Sequence, residues 1–393
     1  MTVHNHDGSY FKITSLTMAS LNDSYSQDVI SLSIEEADKE MAKGTISFHD
    51  KGYYYSRILR PGVKMRIEWG IHIPDYPPVF RVLDEVMVSA PSGEGSSDGK
   101  IIYNCSFMCM GMRGGQARTW FDSGTRYKVV FDAMTRIGVV QSEISFAKEN
   151  EALSKSTMEM QAESDFRFLV RLSDDYRCAF RMGYGKAGLV ASFINYDLLG
   201  KSVFPALISG AMSSLVMKYG TVDANVLKYS WSDDSMSAAN GAGTNIIWGA
   251  DGNPQMVSYI VEDEKTVAYR LDVAKLASVM EAEPEKNLTA LVCDFMKVDD
   301  FALIKDKYFT REVLTTAPQG KGITIQASLM GDPLVTNGLV ATFGLDSGFP
   351  DRIGGKERTW WVRRATHDLS SSGYFTSVEI IDAFVNTPTG MKL

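Results

Sequence analysis

Cysteine is scarce in this chain of 393 residues. The four present, Cys105, Cys109, Cys178 and Cys293, are too few and too scattered to frame a disulfide scaffold, so assembly in a reducing cytoplasm is expected. Long apolar runs are missing as well. The longest apolar window, Ser202 to Met217, is broken by Pro205, Gly210 and several serines, and it is too short to span a bilayer. The opening MTVHNHDGSY has no apolar core segment, so no signal peptide is expected. A basic excess is also absent. A net charge of −8 argues against a binder of duplex DNA, whose phosphates favour a basic surface.

What is present is ample material for folded domains. Hydrophobic residues make up 45% and charged residues 22%, and the length asks for two or three domains. From Val29 the pattern has period two. Ile30, Leu32 and Ile34 alternate with serines, Ile46 and Phe48 with polar residues, and Val63, Met65, Ile67 and Trp69 with Lys64, Arg66 and Glu68. Such alternation marks strands with one buried face. Pro61-Gly62 supplies a turn and Gly70 closes that strand. Val79 to Ala90 reads as a strand, Pro91 to Gly99 as a hairpin loop and Ile101 to Met110 as the returning strand. The result is an antiparallel sheet, closed or sandwiched.

Met112 to Ala117 reads as a joint. Thr125 to Gly138 reads as a helix with Val129, Val130, Ala133, Met134 and Ile137 on one stripe. Within Gln161 to Gly183, Ser164 and Asp165 can cap a second helix carrying Phe166, Leu169, Val170 and Leu172, with Arg167 and Arg171 one turn apart. A short strand from Arg177 to Met182 follows. Leu227, Tyr229 and Trp231 return to strand alternation. The Gly/Asn/Ser-rich SDDSMSAANGAGTN and WGADGNPQ then predict a long surface loop, and Glu262 to Ala282 a partly exposed helix with Asp272 and Lys275 paired on it.

The last third repeats the first. Ile323 to Leu329 alternates, Gly331-Asp332-Pro333 and Asn337-Gly338 turn the chain, Leu339 to Phe343 forms a strand, and a hairpin runs from Thr359 to Phe384 around SSSG. In the first third, a strand from Gly44 leads to Pro61-Gly62, a strand and then a hairpin. Duplication is the reading.

Chemistry is hard to find. Glu163 with Asp165, or Asp174 with Asp175, is a conceivable acid/base pair for peptidoglycan cleavage. Among 48 acidic residues such pairs arise by chance, and helix capping with exposed charge explains them better. Cys105 and Cys109 share a strand face with Tyr103 and Phe107, which predicts core rather than zinc. Met108, Met110 and Met112 predict packing rather than copper, and His4 with His6 a chance pair at a terminus. His367 is expected to make a structural hydrogen bond. Trp360 and Trp361, beside Arg363 and Arg364, are expected to point to opposite faces, one buried and one at a subunit contact. GAGTN and GMRGG lack the end of a phosphate loop, and no Gly-x-Ser-x-Gly elbow occurs. No residue is therefore assigned as catalytic, cofactor-binding or metal-binding, and no cofactor is expected.

Three segments together carry a family resemblance. QAESDFRFLVRLSDDY is similar to a stretch of the phage late control gene D proteins, with Gln161, Glu163, Ser164, Asp165, Phe168, Leu169, Arg171 and Leu172 on motif positions and a gap after Gln161 one residue shorter. GDPLVTNGLVATFGL resembles the family's Gly-Asp-Pro turn, with Val335 in place of a Leu. TWWVRRATHDLSSSGYFTSVEI resembles its closing hairpin through His367, Leu369 and Gly373. These proteins are baseplate hubs of contractile tails, relatives of the spike base in type VI secretion.

The resemblance implies a β-dominated α+β chain with two tube-like antiparallel β-barrels flanking a smaller middle domain. The expected boundaries are 1–112 for barrel I, 113–220 for the α+β middle, and 221–393 for barrel II with a helical insertion at about 232–307. It implies a homotrimer whose six barrels adapt a hexameric tail tube to a trimeric central spike, located in the virion baseplate and assembled in the bacterial cytoplasm. Tail tube protein, central spike protein and other baseplate (wedge) proteins are the implied partners, with the tape measure protein a further candidate. Genome DNA would pass through the lumen without specific binding, and no membrane insertion is implied; the net charge of −8 would make the wall negative if carboxylates face inward. A phage-derived injection machine and a virion-associated peptidoglycan hydrolase are the alternatives.

Overall fold

The computed structural model describes residues 2–4, 8–17, 28–95, 97, 99–115, 118–146, 149–153, 155–176, 178–210, 214–233, 243–248, 254–262, 265–271, 309–313, 323–343, 347–350, 353 and 360–382. The chain divides into two compact units, 1–231 with 325–381, and 232–324 with 382–393. The architecture is β-dominated α+β. No described helix is long and apolar enough to cross a membrane.

In the larger unit the alternating segments are strands, as their period requires. They are β1 (Thr2–His4), β2 (Ser9–Ser15), β3 (Val29–Ala37), β4 (Lys43–His49), β5 (Lys64–Ile71), β6 (Val79–Gly95) and β7 (Ile101–Met108). Leu32, Ile34, Ile46, Phe48, Met65, Ile67 and Trp69 are all fully buried, so the predicted apolar phase is the core phase. Strand β6 differs from expectation. It runs through Pro91 to Gly95, predicted as loop, because its distal half pairs with β7 (Pro91 with Cys105, Gly95 with Ile101). Proline is compatible with an edge strand.

The middle region holds β8 (Arg118–Thr125) paired with β10 (Lys155–Glu163), and β9 (Gln141–Ser145), β11 (Cys178–Gly185) and β12 (Gly188–Asn195) in a second small sheet. Helix Arg126–Ile137 starts at Thr125, which accepts from the Lys128 N–H, and stops at Gly138. Its predicted stripe is entirely buried. Helix Asp165–Asp175 is capped by Ser164, whose hydroxyl accepts from the Arg167 N–H at 3.3 Å, and it buries Phe166, Phe168, Leu169 and Leu172.

The last third contributes β13 (Ser214–Met217) and β14 (Val226–Asp233), then, after the second unit's β15 (Gly243–Trp248), β16 (Pro254–Glu262), β17 (Lys265–Leu271) and β18 (Phe309–Val313), it adds β19 (Ile323–Met330), β20 (Val340–Phe343), β21 (Trp360–Ser370) and β22 (Gly373–Asp382). The second unit corrects the helical reading over Lys265–Leu271, which is strand; residues 272–308 of the expected helical insertion at about 232–307 lie outside the described residues. Its described residues form a four-stranded antiparallel sheet in the order β15-β16-β17-β18. The helical reading counted Val267 and Leu271 but passed over Tyr269, which makes the run period two. The loop expected over GAGTN and WGADGNPQ is likewise strand at Gly243–Trp248 and from Pro254. Residues 272–282, with Asp272 and Lys275, lie outside the described residues.

Thirteen strands of the larger unit form one sheet, whose main path runs β1-β2-β5-β6-β7-β4-β3-β21-β22-β19-β14, with β13 beside β20 and β20 beside β21. Two sets of six strands share one order. In chain rank, β2-β5-β6-β7-β4-β3 and β13-β20-β21-β22-β19-β14 both read first, fourth, fifth, sixth, third, second. Register repeats too. Lys64 faces Met87 and Met65 faces Val86, while Val340 faces Trp361 and Ala341 faces Trp360. One difference is that β2 runs antiparallel to β5 whereas β13 runs parallel to β20. The sets are joined by β3 and β21, paired antiparallel from Ala37–Arg364 to Ser31–Ser370. Among the described residues the hydrogen-bonded ladder is one continuous sheet in which neither set is closed on itself.

Candidate functional site

The predicted carboxylate pairs are spent on structure. Glu163 is ion-paired with Arg171, and Asp165, fully buried, accepts from Arg136 Nε at 2.7 Å. Asp174 is held by Lys39 Nζ at 2.5 Å. Burial raises the Asp175 carboxyl. Cys105 and Cys109 are buried beside Phe107, and burial lifts the Cys105 thiol to about 12. Met112 is buried. His4 ends β1, and His6 lies outside the described residues. No group of three or more metal-ligating side chains occurs among the described residues.

The tryptophan expectation needs correction. Trp360 and Trp361 are both buried, because the two faces of β21 are covered by different parts of the fold. Trp360 meets the Phe343 ring at 5.6 Å, and Trp361 meets Tyr196 of the middle region at 6.1 Å. Arg181, from β11, lies 5.9 Å above the Trp361 ring, and burial lowers its pKa.

What the fold does assemble is a polar joint between the two strand sets. Glu36 falls in phase with Leu32 and Ile34 and therefore points into the core. There Arg81 Nη2 donates to Glu36 Oε1 at 2.5 Å, with both side chains about 1% exposed. Thr336, from the second set, donates to Glu36 Oε2 at 3.3 Å, and the Arg81 guanidinium sits 5.4 Å from the Trp69 ring. Beside it, His367 Nδ1 lies 2.7 Å from the Tyr374 hydroxyl, the structural hydrogen bond expected of it, and 5.5 Å separates its ring from Trp69. Sequence phase contained this signal: Glu36, Arg81 and His367 each occupy a core position of an alternating strand.

Burial, with Arg81 adding to it, lowers the His367 pKa to about 3. The unfolded chain binds that proton near 6.5, so below this pH the unfolded state holds more protons and stability falls as pH drops toward 3. Asp38, raised by burial to about 6, has the opposite sign: its contribution is lost as pH rises through that value. Comparing wild type with His367→Phe cancels the Asp38 effect. The stability of wild type relative to the variant should decline by up to about 1.4 kcal/mol per pH unit between pH 6 and 4. Parallel urea-midpoint profiles for the two proteins would refute this assignment.

Over the sheet surface across β3, β21, β22, β19 and β14 runs a depression lined by Glu35, Lys228, Gln326, Arg364, Thr366 and Glu379, among others. Its carboxylates are matched by cations. Glu35 pairs with Lys43 at 3.1 Å and Arg364 at 3.3 Å, and Glu379 with Arg363. This surface is polar, and its carboxylates are charge-paired.

No protein-family model matches the sequence, and no curated protein matches it. Solved structures are similar in fold. The 43 kDa tail protein of prophage MuSo2 from Shewanella oneidensis is 9% identical, with 96% of this chain and 99% of that chain covered and a TM-score of 0.52. The tail protein from Neisseria meningitidis MC58 is 12% identical, with 97% and 99% covered and a TM-score of 0.53. The E. coli c3393 protein, described as a type VI secretion component structurally similar to the T4 bacteriophage tail proteins gp27 and gp5, is 12% identical, with 97% and 80% covered and a TM-score of 0.50. Over nearly its full length, the chain has the fold of phage tail proteins.

Proposed function

We propose that this chain is the structural hub of a contractile-tail baseplate, a homotrimer that couples a hexameric tail tube to a trimeric central spike. The observation that carries the reading is the repeated six-strand order, twice in one chain and side by side in one sheet. A sixfold tube needs six similar surfaces, whereas three chains suffice to meet a threefold spike. A duplicated chain supplies both from one closed ring. Each strand set then acts as a tube-like barrel whose ladder is completed on assembly, with residues 1–112 and 221–393 as the barrel regions and 113–220 as the middle domain, from whose end β13 (Ser214–Met217) joins the second set. The likeness to phage tail proteins supports this reading, and no residue is given a catalytic role. If the polar depression faces the bore, DNA slides past because its charges are paired, not because the wall repels it. The likeness to a type VI secretion component favours one second reading, the equivalent hub of a phage-derived injection machine.

Electron microscopy of tail particles, with the chain tagged, tests the proposal. Three copies should lie between tube and spike, and the purified chain should leave peptidoglycan uncleaved. Six copies, a position outside the tube axis or wall hydrolysis would each overturn it.

A further inference from the structure

Among the described residues, strand order ends at β14, which has only β19 beside it. The Met330 N–H donates to Asn225 O on one side, and the Val226 N–H goes to Lys218 O at 3.0 Å on the other. Alternation therefore points the N–H groups of Lys228 and Ser230 away from β19, and no strand lies along that edge over Leu227–Ser230 among the described residues. On this edge strand Leu227 is 50% exposed, whereas Leu32 and Ile34 of β3, its counterpart in the first set, are fully buried.

A second uncovered edge lies on β6. Its proximal half pairs with β5 through Met87, and Val88 exchanges two hydrogen bonds of 2.9 Å with Gly62 and Val63. Beyond Val88, Ala90–Gly95 has β7 on one side and no strand on the other among the described residues. The second set shows what such an edge is for. Val362 there makes the equivalent two bonds with Gly338 and Leu339, and two residues further on, from Arg364, the same edge of β21 pairs with β3. So the fifth strand of one set takes up the second strand of the other, once, inside this chain.

We infer that the same joint recurs between chains: the free edge of β14, at Leu227–Ser230, pairs antiparallel with Ala90–Gly95 on β6 of a second copy. Edge strands with unpaired backbone groups are templates for such pairing. The ends also complement each other in charge, with Lys228 on one and Glu94 on the other, both exposed. The joint is head-to-tail and uses two different surfaces, so its repetition closes a ring or grows a filament. Closure at three chains rests on the hub reading above; the pairing itself rests on the internal repeat.

The test is cross-linking of full-length chains carrying Cys293→Ser, so that the buried Cys105, Cys109 and Cys178 are the only native thiols. Ser230→Cys is combined in turn with Ala90→Cys, Ser92→Cys and Glu94→Cys, which share one face of the arm, and treated with a short bis-maleimide. At least one combination should yield covalent species that stop at three chains, while each single-cysteine variant stays at one chain on a denaturing gel. A trimer by light scattering that none of the combinations cross-links would overturn the edge pairing and leave the hub reading standing. Covalent ladders running past three chains would support the pairing and overturn the trimeric ring. A chain that stays monomeric and uncross-linked up to millimolar concentration would overturn the pairing as a property of this protein.

Discussion

Replacing Arg81 with methionine should lower the unfolding free energy by about 3–5 kcal/mol, the cost of leaving a buried carboxylate without its counter-charge. Among the described residues, Glu36 would retain only Thr336 as a donor, at 3.3 Å, in a site where its side chain is about 1% exposed. The double variant Glu36→Gln/Arg81→Met should recover most of the loss, because a neutral amide beside a thioether costs far less to bury than a lone ion. Denaturant unfolding followed by tryptophan fluorescence suits the measurement, since Trp69 lies 5.4 Å from the guanidinium. A loss below about 1 kcal/mol for the single variant would show that the pair does not hold the joint, given that surface ion pairs reach that size. Glu36 belongs to the seam strand β3, Arg81 to β6 and Thr336 to the second set. The Arg81–Glu36 pair thus lies within the first set, and Thr336 ties it to the second across the joint.

Duplication was legible in the sequence through turns, not through residue identity. Pro61-Gly62 and Asn337-Gly338 each precede a strand and a hairpin, and in the structure they occupy equivalent corners. Strand order was not legible, because β4 pairs with β7 and β19 with β22 across long separations that leave no local mark. The far half of β6 was misread since Pro91, Ser92 and Gly93 have turn composition, while their pairing depends on β7. The helical misreading of Lys265–Leu271 arose from weighting aliphatic spacing over an aromatic in strand phase. The polar joint was half legible: alternation places Glu36, Arg81 and His367 inward, but it does not say that they meet. The middle helices were read well, since caps at Thr125, Gly138 and Ser164 are local signals.

Gly338→Ala and Gly62→Ala form a second discriminating pair. Both glycines have left-handed φ values, +88° and +94°, and both donate to the equivalent valine carbonyl, Val362 and Val88. Their surroundings differ. A Cβ on Gly62 would meet nothing within 4 Å, whereas one on Gly338 would lie 1.7 Å from Nη1 of the buried Arg181. Alanine at position 62 should thus cost only the backbone term, about 1 kcal/mol. At position 338 it adds overpacking against a guanidinium fixed between Phe204 and Trp361, for a total of roughly 2–4 kcal/mol. Adding Arg181→Met to Gly338→Ala should return part of the excess, as the flexible side chain can withdraw from the new methyl. Equal costs at the two positions would mean that Arg181 moves aside freely. The middle region would then not be locked to the second strand set through this contact.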